Sequence, residues 1–316
     1  GCTLNFLRPG DRVLVGNTGK FVDRWVKVAK TFGLAVEEVK AEWGKALDPN
    51  DFKTLLEADS DKTIKALIIT HSETSTGVLN DLAAINAAAK AHGGALMIVD
   101  AVTSLGATPV AIDELGLDVV ASGSQKGYMI PPGLGFVSVS AKAWQAYETA
   151  TIPRFYLDLK KYKKSTDEDS SPFTPPINLM YGLQASLQMM KAEGLEAIFA
   201  RHQRHTNATR AAMKALNLPL FAPDDAASNA ITAVAPLGVE AEKIRSTMRK
   251  KFDIAMAGGQ DHLKGKIFRI GHLGFVCDRD ILSCIGALEA TLIELGYEGV
   301  TPGSGVAAAA GVLAKG

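Results

Sequence analysis

The stretch that decides the fold runs from Lys65 to Asp100. Lys65-Ala-Leu-Ile-Ile-Thr70 is an apolar run of strand length, ended by the polar turn His71 to Gly77. Leu82 to His92 follows as an Ala-rich helix, stopped by Gly93-Gly94. Ala95-Leu-Met-Ile-Val-Asp100 is then a second strand of unbroken apolar character, as expected of one buried on both faces. Strand, helix and strand in that order form a crossover unit of a parallel sheet.

The same alternation extends outward. Arg12-Val-Leu-Val15 is a short apolar run ending at Gly16, and Phe21 to Phe32 places apolar residues at helical spacing. Downstream, Val119-Val-Ala-Ser122 and Gly135-Phe-Val-Ser-Val-Ser140 make two more strands. The expected class is α/β, with a mostly parallel sheet flanked by helices and no internal repeat. Ligands of such sheets collect at the carboxyl ends of the strands, which directs attention to Gly16–Phe21, Thr70–Gly77, Asp100–Ser104 and Ser122–Tyr128.

Between Leu157 and Pro176 the pattern breaks. Lys160-Lys-Tyr-Lys-Lys164, Thr166-Asp-Glu-Asp-Ser-Ser171 and three prolines (Pro172, Pro175 and Pro176) predict a solvated loop. Helical periodicity resumes from Leu179 to Glu193, and a long helix is expected at about Leu195 to Leu216. Short strands and further helices after it make a smaller C-terminal α/β domain. The expected division is a large domain at 1–193, a small domain at 194–298 and a flexible Ala-rich tail at 299–316 after Thr301-Pro-Gly-Ser-Gly305.

Composition bounds the function. In 316 residues, Lys plus Arg and Asp plus Glu are balanced at 34 each, so net charge recruits neither nucleic acid nor an anionic membrane. Hydrophobic residues at 47% and charged residues at 22% are the profile of an ordinary globular protein. No signal peptide opens the chain and no apolar run is long enough to span a bilayer. The three cysteines, Cys2, Cys277 and Cys284, fit neither a disulfide framework nor a metal site, and read as packing residues of a protein in the reducing cytoplasm.

Five positions at the strand ends carry chemistry by type and place. Lys126 stands in Ala121-Ser-Gly-Ser-Gln-Lys-Gly-Tyr128, after a buried strand and between glycines. That setting suits an amine that must be desolvated to form an imine, although a buried salt bridge or an ordinary loop lysine would fit it too. Asp100 emerges from an apolar strand and needs a cationic partner, which can be a protonated pyridine nitrogen or, equally, an internal salt bridge. His71-Ser-Glu-Thr-Ser-Thr-Gly77 is dense in hydroxyls, suited to a polar ring substituent or to capping the helix that begins near Asp81. Phe21, after Gly16-Asn-Thr-Gly19, can stack on a flat ring or begin the core face of its helix. Arg269, between apolar neighbours in Lys266-Ile-Phe-Arg-Ile-Gly271, wants a carboxylate, from a substrate or from the protein.

Taken in order, these segments resemble the class V aminotransferases of fold type I, in the alanine- or serine-glyoxylate branch. The likeness rests on Ser122-Gly-Ser-Gln-Lys-Gly127 with Pro131-Pro-Gly133, on Thr70-His-Ser-Glu-Thr-Ser-Thr-Gly-Val-Leu79, on Val99-Asp-Ala-Val-Thr-Ser-Leu-Gly106 and on Lys266-Ile-Phe-Arg-Ile-Gly-His-Leu-Gly274. It runs from about residue 5 to residue 297. The resemblance implies pyridoxal 5'-phosphate, with Lys126 as its Schiff-base lysine and proton shuttle. It implies that Asp100 pairs with the ring nitrogen, that Phe21 stacks on one ring face and that Val102 packs on the other. Thr74 and Gln125 would bond the ring hydroxyl or phosphate region, and Arg269 would hold the substrate α-carboxylate. The family is dimeric, and Thr174 matches a phosphate-site position borrowed from the neighbouring subunit.

Two departures qualify that expectation. The family pattern carries a further N-terminal segment, with a Ser-Gly-x-Gly-type phosphate cradle, before the position of Gly1. Ser171 stands where relatives often supply a tyrosine across the interface. The alternative function is therefore a truncated, catalytically silent homologue that dimerises or binds. A cysteine desulfurase would want histidine where Gln125 stands, a nicotinamide enzyme would want G-x-G-x-x-G after the first strand, and a hydrogenase subunit would want clustered thiolates.

Overall fold

The computed structural model describes residues 1–315. Its first sheet has six strands: β1 (Arg12–Asn17), β2 (Ala35–Lys40), β3 (Ile64–Thr70), β6 (Leu96–Asp100), β7 (Val119–Gly123) and β8 (Gly135–Val139), in the order β2-β1-β3-β6-β7-β8. The hairpin β4 (Ser72–Glu73) and β5 (Val78–Leu79) branches off after β3. Five strands are parallel, as the alternation predicts, and the sixth, β8, runs antiparallel to β7 because only a turn, with no helix, joins them. Lys126 lies in that turn.

Helices α1 (Lys20–Thr31), α2 (Pro49–Ala58), α3 (Leu82–His92), α4 (Ile112–Leu115) and α5 (Ala141–Tyr147) cover the sheet. Two apolar layers lie on opposite sides of it. Val13, Val15, Ile68 and Ile98 point into the layer with Val22, Val26 and Ala29 of α1. Leu14, Leu67, Ile69, Met97 and Val99 point the other way, onto Phe52, Leu56 and Ile85 of α2 and α3. Alternate residues of each central strand are thus buried on both faces, which is why the strands read as unbroken apolar runs. The helix expected at Leu82–His92 is α3, ended as expected by Gly93 in the left-handed conformation, and its cap is Asp81, which accepts from Ala84 N at 2.9 Å.

The chain then enters α6 (Leu159–Asp167), α7 (Ile177–Glu193) and α8 (Leu195–Ala215). The stretch expected as a solvated loop is helical over α6, where Asp158 caps the start by accepting from Lys160 N. Its side chains are nonetheless exposed or only partly covered. A three-stranded antiparallel sheet follows, β9 (Ile231–Val234), β10 (Ala257–Gly258) and β11 (Phe268–Gly271), in the order β10-β11-β9. It packs with α8, α9 (Ala241–Phe252) and α10 (Asp278–Glu294) around Phe268, Met213, Ile244 and Leu288.

One expectation about the tail is overturned. Residues 304–313 form α11 (Ser304–Leu313), whose Ala309 is fully buried in the same core as Met213 and Leu216 of the α8 region. The small residues that suggested a loose end are the ones that let this helix sit flush against α8. Among the described residues no helix is long and apolar enough to cross a membrane.

Candidate active site

The carboxyl ends of β1, β3, β6 and β7 and the amino end of α1 converge, and Glu73 ties the hairpin after β3 to the start of α1. Its carboxylate is fully buried. It accepts from Phe21 N at 3.0 Å and Val22 N at 3.2 Å, and from Ser75 N at 2.9 Å and Ser75 Oγ at 2.7 Å. Ser75 Oγ in turn accepts from Lys20 N at 2.9 Å. The first three amides of α1, which have no partner within the helix, are thus satisfied by a hairpin more than fifty residues away. A Cβ on Gly19 would fall 2.5 Å from Glu73 Cγ and from Ser75 Oγ, so only glycine admits this approach. Burial raises the Glu73 pKa, and the four donors pull against it.

The hydroxyl-rich segment therefore does cap a helix, but the helix is α1 and not α3. The cap fixes Phe21 at the start of α1, where the ring is partly exposed with the Arg24 guanidinium 5.1 Å from its centroid. Thr74, on the same hairpin, is buried, and its carbonyl accepts from Arg269 Nη1 at 2.7 Å. Arg269 Nε donates to Gly258 O at 2.9 Å, which holds the guanidinium against both β10 and the hairpin. Burial lowers the Arg269 pKa and the Glu73 carboxylate opposes that shift, so the two charges share one neighbourhood.

Asp100 ends β6 with both carboxylate oxygens engaged. Oδ1 accepts from Val102 N at 3.0 Å, and Oδ2 accepts from the indole Nε1 of Trp25 at 2.8 Å. Burial raises its pKa, while Trp25, Val102 and the charge of Lys126 lower it. Lys126 is partly buried in the turn after β7, with its pKa lowered first by burial and then by the positive charge of Arg269, against the attraction of Asp100. Gly127 lets this turn touch the one after β6: a Cβ there would lie 2.2 Å from the Leu105 carbonyl oxygen. Val102 and Gln125 flank Gly123, whose added Cβ would meet Val102 Cγ1 at 3.8 Å and Gln125 Oε1 at 3.1 Å.

The structure thus brings Lys126, Asp100, Val102, Gln125, Thr74, Phe21 and Arg269 to one sheet edge, from five segments. Thr174 is different. It is exposed, in a segment whose Phe173 ring is held by Tyr156, Phe155 and Tyr162, and no described contact links it to Lys126. Sequence reasoning missed Glu73 as a cap and Trp25 as a partner of Asp100. A lone tryptophan on an amphipathic helix carries no mark of the aspartate it meets. The cysteines also divide: Cys2 is buried, Cys284 is partly buried, and Cys277 is exposed, so the packing expectation does not extend to Cys277. Among the described residues no three His, Cys, Asp or Glu side chains cluster as a metal site.

A family model described as aminotransferase class-V matches residues 1–271. The chain belongs to the class V aminotransferases. It is 41% identical over 308 residues to the L-aspartate–glyoxylate aminotransferase of Paracoccus denitrificans (strain Pd 1222), covering 96% of this chain and 78% of that protein. It is 68% identical over 312 residues to a protein of Anabaena cylindrica named soluble hydrogenase 42 kDa subunit, covering 99% of this chain and 82% of that one. The crystal structure of an alanine–glyoxylate aminotransferase from Nostoc sp. superposes with a TM-score of 0.86 at 31% identity, covering 91% of this chain and 77% of that one. In this class V aminotransferase, Lys126 lies in the turn after β7, the fifth parallel strand in chain order.

Proposed function

We propose that this aminotransferase holds pyridoxal phosphate through Lys126 and transfers the amino group of a small amino acid, alanine or serine, to a 2-oxo acid such as glyoxylate. The observation that carries this reading is the convergence at one sheet edge of the turn that holds Lys126, of Asp100 at the end of β6, and of the buried Arg269 held by the Thr74 carbonyl. The side chains present fit the cofactor. Asp100 keeps unused lone pairs on both oxygens for a protonated ring nitrogen. Ser122 Oγ and Thr70 Oγ1, at the ends of β7 and β3, are buried polar atoms with no partner.

When bound, the cofactor supplies the electron sink for a carbanion at the substrate α-carbon. The residues supply the rest. Lys126, its amine eased towards the neutral form by burial and by Arg269, removes and returns the α-proton. Asp100, whose donors and the Lys126 charge oppose the rise that burial causes, would pair with the ring nitrogen and favour its protonated form. Phe21 and Val102 would cover the two ring faces, and Thr74 and Gln125 would bond the ring hydroxyl or phosphate region. Arg269 pairs with the substrate carboxylate through donors that Gly258 and Thr74 leave unengaged.

The same reading makes the chain a homodimer. Met180, Tyr181 and Leu187 of α7 are exposed apolar side chains, as are Phe155 and Tyr156, which meet the Phe173 ring next to Thr174. A second copy seated there would bring Thr174 to its partner's phosphate site. Glyoxylate as acceptor is supported by the names of the Paracoccus and Nostoc relatives. The test is an absorbance titration with pyridoxal phosphate, followed by alanine, serine and aspartate in turn, with glyoxylate and pyruvate as acceptors. A new visible band that each accepted donor bleaches supports the reading. No band, or a band that no donor alters, removes it.

A further inference from the structure

We infer that Trp25 is a positioning residue of the active site, whose indole N–H sets the plane of the Asp100 carboxylate and keeps it in the form that meets a pyridine nitrogen. The inference rests on the reading above that pyridoxal phosphate sits on Asp100. Its own ground is geometric. Trp25 lies one turn past Phe21 on α1, and α1 is clamped at its first three amides by Glu73 and Ser75. From that fixed helix the indole reaches across the sheet edge to Asp100 Oδ2 at 2.8 Å, 75 residues away in sequence. The body of the side chain packs on the apolar layer that contains Val13, Ile68 and Ile98.

The chemistry of the donor makes the contact more than packing. An indole nitrogen only donates, so Oδ2 can satisfy it only as an acceptor, and Val102 N makes the same demand on Oδ1. Both bonds favour the ionised form, because a carboxylate oxygen accepts more strongly than the same oxygen once the group is protonated. The two bonds therefore oppose the burial that would otherwise neutralise Asp100. They also lock the carboxylate against rotation, because Oδ1 is held from the strand end and Oδ2 from the helix. The other charged or titratable groups facing Asp100 are Lys126, from the turn after β7, and Cys2, from the chain start, with Arg269 acting beyond Lys126. None of them replaces the indole as a hydrogen-bond donor to Oδ2.

The test compares wild type with Trp25→Phe, which keeps an aromatic ring and removes the N–H. Pyridoxal phosphate binding is followed by the visible band across a pH series, with thermal melting as the check of folding. We expect binding to weaken on the order of tenfold or more in the variant, the loss of one hydrogen bond to a charged group. The acid limb of the binding profile should also move to higher pH, since Asp100 then takes up a proton more readily. A purely structural role would weaken binding evenly with no movement of that limb. Equal affinity and an unmoved limb in a folded variant overturn the inference. A wild type that never acquires the band overturns instead the reading of the site. Should Trp25→Phe fail to fold, the wild-type indole resonance decides, assigned among three tryptophans with Trp43→Phe and Trp144→Phe. An indole N–H protected from exchange that shifts when pyridoxal phosphate is added supports the role, and one that exchanges as a free indole contradicts it.

Discussion

The two ends of the catalytic inventory are built differently. At the edge of the large sheet, Glu73, Trp25, Asp100 and Arg269 are bonded within the chain, each to a partner distant in sequence. Around Thr174 and α7 the opposite holds, for Tyr181, Leu187 and Phe155 are exposed and Thr174 makes no described bond to the site. A helix with so much apolar surface in the open is a surface awaiting cover. The difference teaches that the sheet edge is organised within one chain, while under the proposed function the phosphate side would be completed by what seats against α7.

Four changes sharpen or break that contrast. The largest effect belongs to Lys126→Ala, which under the proposed function would remove both the covalent anchor and the proton carrier. Transaminase turnover should fall at least about 10³-fold, measured with saturating cofactor, while urea unfolding changes little because Lys126 is partly exposed. Turnover within tenfold of wild type would break the assignment. Next comes Glu73→Ala, which strips the cap from α1 and orphans the amides of Phe21, Val22 and Ser75. It should cost on the order of 3 kcal/mol or more in denaturant unfolding, and a cost below about 0.5 kcal/mol would show that the bracket does not organise the edge.

Acid should act through buried histidines in both regions: burial lowers the pKa of His71, beside the large sheet, to about 4, and two further rings lie by the smaller sheet. His202 donates from Nδ1 to Ile198 O and accepts at Nε2 from Gly274 N, and His272 bridges Asn229 O and Thr232 Oγ1 in the same way. The Gly274 N–H fixes His202 Nε2 as an acceptor, and burial lowers the pKa values of the His202 and His272 rings from 6.5 to about 4 and about 3. The sign follows from the unfolded chain binding protons first. Stability is complete above pH 6.5 and is lost as pH falls through the range towards about 4. Melting temperatures recorded across that range check it, and His202→Gln should flatten the slope. The smallest effect on the single chain is that of Leu187→Glu. At an exposed position it should shift unfolding by less than about 0.5 kcal/mol, yet convert a dimer to monomer in sedimentation. A wild type already monomeric at assay concentration would end the account of α7.

How much of this was legible depends on where each signal resides. Strands β3, β6 and β7 are buried on both faces and announce themselves as continuous apolar runs. Edge strand β2 reads Ala35-Val-Glu-Glu-Val-Lys40, and its Glu37 and Glu38 pair with Arg12 and Lys30, so its polarity hid it. Lys126, Asp100 and Arg269 were visible because a charged residue at or within an apolar strand is costly without a purpose. Glu73 was in view as part of a polar turn, but its partners lie on α1, across 51 to 52 residues of chain. Trp25 had no local mark at all. Contacts between elements decide such roles, and local spacing does not carry them. The tail failed for a related reason: small residues suit a loose end and a close-packed helix alike, and only the surface of α8 chooses between them.

The most direct test of the central claim is borohydride reduction of the protein mixed with pyridoxal phosphate, followed by peptide mapping. The account predicts a single pyridoxyl mass increment on the peptide containing Lys126, lost in Lys126→Ala. No increment, or one spread over exposed lysines such as Lys160 and Lys164 with Lys126 unmodified, would contradict it.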